Sequence, residues 1–147
     1  MSVCTFFGHS SCPEQIQSCI SREAERLYLE KGVTDFLVGN HGEFDHYAKA
    51  AVRELAAKYP AVRYSVVLAY LPTGKDPYTD DSDTVLPDGI ETTPRRFAIT
   101  YRNNWMLSKA DYVIAYIVRD YGGAVQFYRK ALRQNKNVIN LAEQQNG

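Results

Sequence analysis

Short apolar runs alternate with longer amphipathic stretches along the whole chain. The runs are rich in β-branched residues and show no clean alternation, which is typical of strands buried on both faces of a parallel sheet. The stretches between them carry apolar residues at helical spacing, such as Val125, Tyr128 and Leu132. The pattern predicts five strands, at residues 3–7, 33–38, 63–70, 112–118 and 137–141.

Four helices are predicted between these strands. Ser11-Cys12-Pro13-Glu14 fits the capping-box pattern, so the first helix is expected to begin near Cys12. Asp45 caps or begins the second helix, which ends near residue 59. The third helix covers residues 95–109, and the fourth follows the pair Gly122-Gly123.

The alternation of strands and helices predicts an α/β fold with right-handed crossovers. We expect a Rossmann-like, doubly wound parallel sheet of about five strands in the order 3-2-1-4-5, with helices on both faces. The length of 147 residues predicts one domain, 1–147. Residues 71–94 hold four of the six prolines among many acidic and hydroxyl residues, which predicts a long polar loop or lid.

Charge and cysteine content limit the classes of partner. Seventeen basic and seventeen acidic residues give a formal net charge of zero, which argues against nucleic acid as a partner. We expect no membrane association, because no apolar run is long enough to span a bilayer and no secretory signal is present. The three cysteines form no CxxC pair, which predicts reduced thiols in the cytoplasm and no metal. We also expect no cofactor.

Three glycine-bearing loops follow predicted strands. They are Gly8-His9-Ser10-Ser11, residues 39–45, and Gly122-Gly123-Ala124. In a sheet of the predicted order, ligands bind outside the carboxyl ends of the strands, at the point where the order reverses. A glycine pair before a helix exposes backbone N–H groups to an anion. Neither GxGxxG nor GxxxxGK[ST] is present, so the loops predict an anionic ligand without a dinucleotide fingerprint or an ATPase loop.

The blocks CTFFGH, FLVGNHGEFD, VVLAYLP, PRRFAITYRNNWMLSKADYVIAYI, GGA and VINL resemble a bacterial branch of the SLOG superfamily. This superfamily groups the LOG phosphoribohydrolases, once labelled lysine decarboxylase-like, with the Smf/DprA proteins. The resemblance implies a Rossmann-like fold and a nucleotide-derived ligand whose phosphate lies at Gly122-Gly123. It also implies a homodimer or higher homo-oligomer. Smf/DprA-like binding of single-stranded DNA is a weaker alternative, because the net charge is zero.

The chain departs from the LOG enzymes at positions that serve catalysis. Arg102-Asn103 falls at their Arg-Lys pair, so only the arginine matches. After the matching Gly122-Gly123, Val125 replaces a third glycine and Gln126 a threonine. The catalytic glutamate falls at Tyr128, which cannot perform carboxylate chemistry. We therefore expect a non-catalytic sensor, carrier or sequestering protein for a nucleoside phosphate, an ADP-ribose-like molecule or a cyclic nucleotide. The alternative is an N-glycosidic-bond hydrolase or transferase acting on nucleoside monophosphates.

Each candidate residue has an alternative interpretation. Arg102 either clamps a phosphate or pairs with the acidic loop on the protein surface. His9 and His41 either contact the ligand or are simply solvated. Glu43 and Asp45 are weak candidates for a nucleophile or base, and Asp45 either binds ribose hydroxyls or caps its helix. The predicted ligand-binding residues are Gly8, His9, Ser10, Ser11, Gly39, Asn40, His41, Gly42, Asp45, Arg102, Asn103, Gly122, Gly123 and Ala124.

Overall fold

A parallel six-stranded sheet organises the chain in the computed structural model, which describes residues 2–70 and 83–144. The strands are β1 (Ser2–Gly8), β2 (Val33–Val38), β3 (Arg63–Val67), β4 (Thr84–Val85), β5 (Tyr112–Tyr116) and β6 (Asn137–Asn140). Their order across the sheet is β4-β3-β2-β1-β5-β6. All the neighbouring strands pair in parallel. The predicted Rossmann-like α/β fold is confirmed, including the reversal of order beside β1.

Helices pack on both faces of the sheet. They are α1 (Ile16–Lys31), α2 (Gly42–Lys58), α3 (Ala98–Lys109), α4 (Gly123–Arg133) and the short α5 (Leu141–Gln144). One apolar cluster joins the sheet to α1, α2 and α5, and a second joins it to α3 and α4. Alternation along the strands divides the core between them. Phe6 and Ile114 lie in the first cluster, whereas their neighbours Phe7 and Val113 lie in the second.

The sixth strand is an addition to the predicted sheet. Strand β4 pairs with β3 through Thr84 and Val85, inside the stretch predicted to be loop. Two residues are too few to show a periodic pattern, so this strand could not be predicted from the sequence. The Tyr64 hydroxyl donates a 2.6 Å hydrogen bond to Asp83 Oδ2 just before β4. Residues 71–82, the first part of the predicted lid, lie outside the described residues.

Two helix starts differ from the predictions. Helix α1 begins at Ile16 rather than near Cys12, and the backbone N–H of Cys12 donates to Glu43 Oε2 at 3.2 Å. No side chain caps α1. Helix α2 begins at Gly42, and Asp45 Oδ2 accepts a 2.9 Å hydrogen bond from the His41 N–H. The prediction that Asp45 caps or begins this helix is therefore wrong, because Asp45 lies inside the first turn.

The remaining boundaries shift by a few residues. The predicted third helix opens with a 3₁₀ turn, Arg95–Phe97, before α3. Strands β3 and β5 end earlier than predicted. The apolar runs that predicted them continue beyond the last residues that pair with a neighbouring strand. Such shifts are usual at element ends. They leave the carboxyl ends of β1, β2 and β5 on one edge of the sheet.

Candidate functional site

The loop after β1 contributes a buried histidine. The imidazole of His9 is 2% exposed, and its Nε2 accepts a 3.1 Å hydrogen bond from the N–H of Val118. Burial, and then the nearby Arg119 cation, lower the pKa of His9. An unprotonated Nε2 is required to accept this bond, so the neutral ring joins the loop after β1 to the end of β5. His9 is thus a structural tie at the site, whereas His41 is exposed.

The loop after β2 brings a carboxylate close to an arginine. A Cβ on Gly39 would lie 2.6 Å from Asp45 Oδ2 and 3.1 Å from both Cζ and Nη1 of Arg102. Only glycine leaves room for both groups at this point. The loop is also tied to the one after β1, because the Glu43 N–H donates to the Ser10 oxygen at 2.8 Å.

Helix α3 contributes Arg102 to the site. Arg102 is 3% exposed, and its Nε and Nη2 donate to Asn103 Oδ1 at 3.2 and 3.0 Å. Its Nη1 is buried and has no hydrogen-bond partner among the described residues. Burial lowers the pKa of the guanidinium, while Asp45 acts in the opposite direction. The predicted alternative of a surface arginine paired with the acidic loop is inconsistent with this burial.

The glycine pair stands at the start of α4. Gly122 has φ +104° and ψ 170°, a backbone conformation that residues other than glycine rarely adopt. A Cβ on either Gly122 or Gly123 would meet nothing within 4 Å, so the backbone faces open space. The first turn of α4 contains no acidic residue. Its free N–H groups are suited to an anion.

These parts surround one cavity of about 270 Å³ at the carboxyl ends of β1 and β5. That volume is near the lower end of the roughly 300–1,000 Å³ typical of small-molecule sites. The cavity is lined by Phe6, Phe7, Gly8, His9, Ser10, His41, Asp45, Ile99, Arg102, Asn103, Arg119, Gly122, Gly123 and Ala124. It therefore draws on all three loops predicted from the sequence and on α3.

Some predicted residues do not line the cavity, and some lining residues were not predicted. Ser11, Gly39, Asn40 and Gly42 are outside the lining set, although Gly39 makes room for two members of it. Arg119 lines the cavity without having been predicted. Its position directly after a buried strand and before the glycine pair was the available signal. Ile99, Phe6 and Phe7 add apolar surface that sequence alone could not assign to a site.

The remaining candidates for catalysis do not line the cavity. Glu43 is exposed and accepts from the Cys12 N–H rather than lining the cavity. Burial, with the carboxylates of Glu43 and Asp45, raises the pKa of Cys12 to about 11, so its thiol is a poor nucleophile. Tyr128 packs against the apolar cluster beneath α4. Neither it nor the next residue, Arg129, offers a carboxylate.

Burial makes Asp45 the most perturbed acid at the site. It raises the pKa of Asp45 from 3.8 to about 6, although Arg102 and the His41 N–H act to lower it. The folded protein therefore holds the proton more tightly than the unfolded chain. The contribution of Asp45 to stability should fall as the pH rises from about 4 to about 6, and should then stay at the lower value.

Replacing Asp45 with asparagine should remove this dependence. We expect the Asp45→Asn variant to exceed the wild-type free energy of unfolding by about 3 kcal/mol at neutral pH and by almost nothing below about pH 4. Urea unfolding across this pH range measures the difference. Glu54→Gln, an exposed change on the same helix, is the control. A neutral-pH loss of stability in the Asp45 variant would contradict the assignment.

Within residues 2–70 and 83–144, no three His, Cys, Asp or Glu side chains gather as a metal site would require. No helix in these ranges is long and apolar enough to cross a membrane. The cytoplasmic location stays a prediction.

Comparison with known proteins gives similarity at the level of fold. No family model matches the chain, and no curated protein matches it. Among solved structures, the chain is similar to DNA processing protein A (DprA) from Streptococcus pneumoniae, with a TM-score of 0.67 and 15% sequence identity. The match covers 94% of this chain and 49% of that one, so this chain spans about half the length of its structural neighbour. The similarity supports a DprA-like Rossmann fold, and it gives no support to the prediction against nucleic acid.

Proposed function

We propose that this chain binds a nucleotide or nucleotide-derived small molecule in the cavity at the ends of β1 and β5. The phosphate would lie between Arg102 and the glycine pair that starts α4. The ligand would be a nucleoside phosphate, an ADP-ribose-like molecule or a cyclic nucleotide. The chain would act as a sensor, carrier or sequestering protein.

The observation that carries this proposal is the Nη1 of Arg102, which has no hydrogen-bond partner among the residues that the structure describes. A buried guanidinium N–H without an acceptor is costly, and buried polar groups in native proteins nearly always have a partner. Arg102 lines the cavity, so an anionic oxygen placed there could accept from it. Phosphate oxygens suit a guanidinium because they can accept two N–H bonds in its fixed geometry.

The rest of the lining is consistent with a phosphate attached to a larger molecule. The start of α4 adds backbone donors and a positive helix end, and Arg119 adds a second cation. Ile99 and Phe7 offer apolar contact for a sugar or base. Asp45 can accept from ribose hydroxyls with the oxygen lone pairs that the His41 N–H leaves free.

Superfamily membership, the extent of the domain and the oligomeric state are part of the same proposal. The sequence blocks suggest membership of the SLOG superfamily on the LOG side, and the similarity of fold to DprA supports the broader grouping. We propose one domain over 1–147 and a homo-oligomeric assembly. Tyr101 and Trp105 do not line the cavity, so the proposal includes no stacking of a ligand base on these rings. Tyr101 is partly exposed and its hydroxyl donates to the Asp88 oxygen, whereas Trp105 packs on the second core cluster.

A thermal-shift panel tests the proposal. The panel holds nucleoside monophosphates and diphosphates, NAD, ADP-ribose, cyclic nucleotides and a single-stranded oligonucleotide. We expect at least one small molecule to raise the melting temperature by mass action, and its free nucleoside to do so far less, because the phosphate provides the anchor. The proposal fails if no small molecule shifts the melting temperature, or if the nucleoside and nucleotide act equally.

Asp45 supports a second candidate, hydrolysis or transfer at an N-glycosidic bond. A carboxyl group in a cavity with a pKa of about 6 is poised to accept or donate a proton near neutral pH. No carboxylate stands at Tyr128 or Arg129 to assist it, which favours binding over chemistry. Chromatography of the incubated panel decides between the two. Release of free base that Asp45→Asn abolishes would replace the non-catalytic proposal.

A further inference from the structure

The two faces of the sheet carry different charge. Besides Arg102, which is buried at the cavity, helices α3 and α4 hold four basic residues and no acidic one, and both helices are described in full. Helices α1 and α2 each balance three acidic residues against three basic ones. A net charge of zero therefore conceals a basic layer on the α3–α4 side. Such a local field attracts an anionic partner even when the whole molecule is neutral.

A groove of about 410 Å³ runs between α3 and α4 within this basic layer. Its polar lining comprises Thr100 and Asn104 from α3 and Gln126, Arg129, Lys130 and Arg133 from α4. The Lys130 ammonium donates to Asn104 Oδ1 across the groove, which holds the two helices in register. Arg129 and Arg133 are exposed at its rim. None of these side chains lines the cavity described above.

The spacing of the two rim arginines suits an extended acidic chain. Arg129 and Arg133 are four residues apart on α4, which separates them by about 6 Å along the helix axis. In an extended peptide, alternate side chains on one side repeat every 6.6 Å or so. Carboxylates at alternate positions can therefore meet successive arginines. The hydroxyl of Thr100 and the side-chain amide of Gln126 line the groove and can bond to the peptide backbone.

We propose that the α3–α4 groove binds an acidic polypeptide segment in extended conformation. The groove is short, and stacked nucleic acid places a phosphate about every 3.4 Å along each strand, so it would use few of its charges here. A partner protein with alternating Asp or Glu residues matches both the charge and the spacing.

Fluorescence anisotropy with a labelled peptide tests this proposal. The probe is a fluorescein-labelled peptide of about ten residues in which glutamate alternates with threonine, and the control probe replaces glutamate with lysine. In a buffer of low ionic strength we expect saturable binding of the acidic probe only, weakening as salt is added. The double variant R129E/R133E should weaken binding at least tenfold. The matched control R22E/K31E makes the same charge change on α1 and should stay within twofold of wild type.

Both double variants are first checked for wild-type circular dichroism, and R129Q/R133Q serves if charge reversal prevents folding. Failure of the wild-type protein to bind the acidic probe would overturn the proposal, as would equal weakening by R22E/K31E. Tighter binding of a single-stranded oligonucleotide or of phosphatidylserine vesicles, lost in R129E/R133E, would assign the groove to another class of partner. These results are independent of the nucleotide panel, because Arg129 and Arg133 lie outside the cavity.

Discussion

Replacing Gly8 with alanine is expected to lower the free energy of unfolding by about 3 kcal/mol. A Cβ at this position would stand 2.6 Å from Cδ1 of Phe44, far inside normal contact. The Phe44 ring is fully buried in the larger apolar cluster, so it cannot move aside without disturbing its neighbours. Urea unfolding followed by circular dichroism measures the change.

Gly123→Ala is the matched control, since it makes the same chemical change where a Cβ meets nothing within 4 Å. Gly123 is also the first residue of α4, where alanine is favourable. We expect this variant to equal or slightly exceed the wild-type stability. If Gly8→Ala loses no more than Gly123→Ala, the close approach of Phe44 to β1 does not have the assigned energetic consequence. Partial recovery in Gly8→Ala/Phe44→Leu would identify the ring as the cause.

The largest effect on binding is expected from Arg102→Met. Loss of charge-assisted hydrogen bonds to a phosphate is worth about 3 kcal/mol, which corresponds to an affinity roughly 100-fold lower. Stability should stay level or rise, because methionine removes a buried charge and an unpartnered N–H. Asp45 can take up a proton once the arginine is gone, which limits the penalty.

Calorimetric titration of the nucleotide that gives the largest thermal shift measures this affinity. Arg22→Met, an exposed change on α1, controls for the loss of one positive charge. An affinity within threefold of wild type in the Arg102 variant would remove the phosphate clamp from the proposal. A parallel fall in stability would instead indicate that the guanidinium serves the fold.

The central part of the fold was predictable because burial imposes composition on the strands. The runs at β1, β2 and β5 are mainly apolar, since helices cover both faces. Strand β4 was not predictable because its two residues depend on pairing with β3. The predicted start of α1 was also wrong. Ser11 to Glu14 satisfies a local capping pattern, but no side chain caps α1, which begins at Ile16.

The candidate site was predictable in position more than in detail. Parallel topology fixes which loops meet, so glycine-rich loops after β1, β2 and β5 pointed to the cavity edge. The burial of Arg102 depends on how α3 packs, and its interpretation from sequence rested on a family resemblance. Arg119 and the raised pKa of Asp45 arise from three-dimensional neighbours that no spacing in the sequence reveals. That these residues bind a ligand stays a prediction.

The central position of β1 has a kinetic consequence. The first strand pairs with β2 on one side and with β5 on the other, and the Val3 N–H donates to Asp111 Oδ2 across 108 residues of sequence. Contacts of such separation close large loops and slow the folding of a domain. During synthesis, the edge of β1 that pairs with β5 stays unpaired until β5 has left the ribosome. That open edge is where a nascent chain of this topology is most exposed to association with other strands.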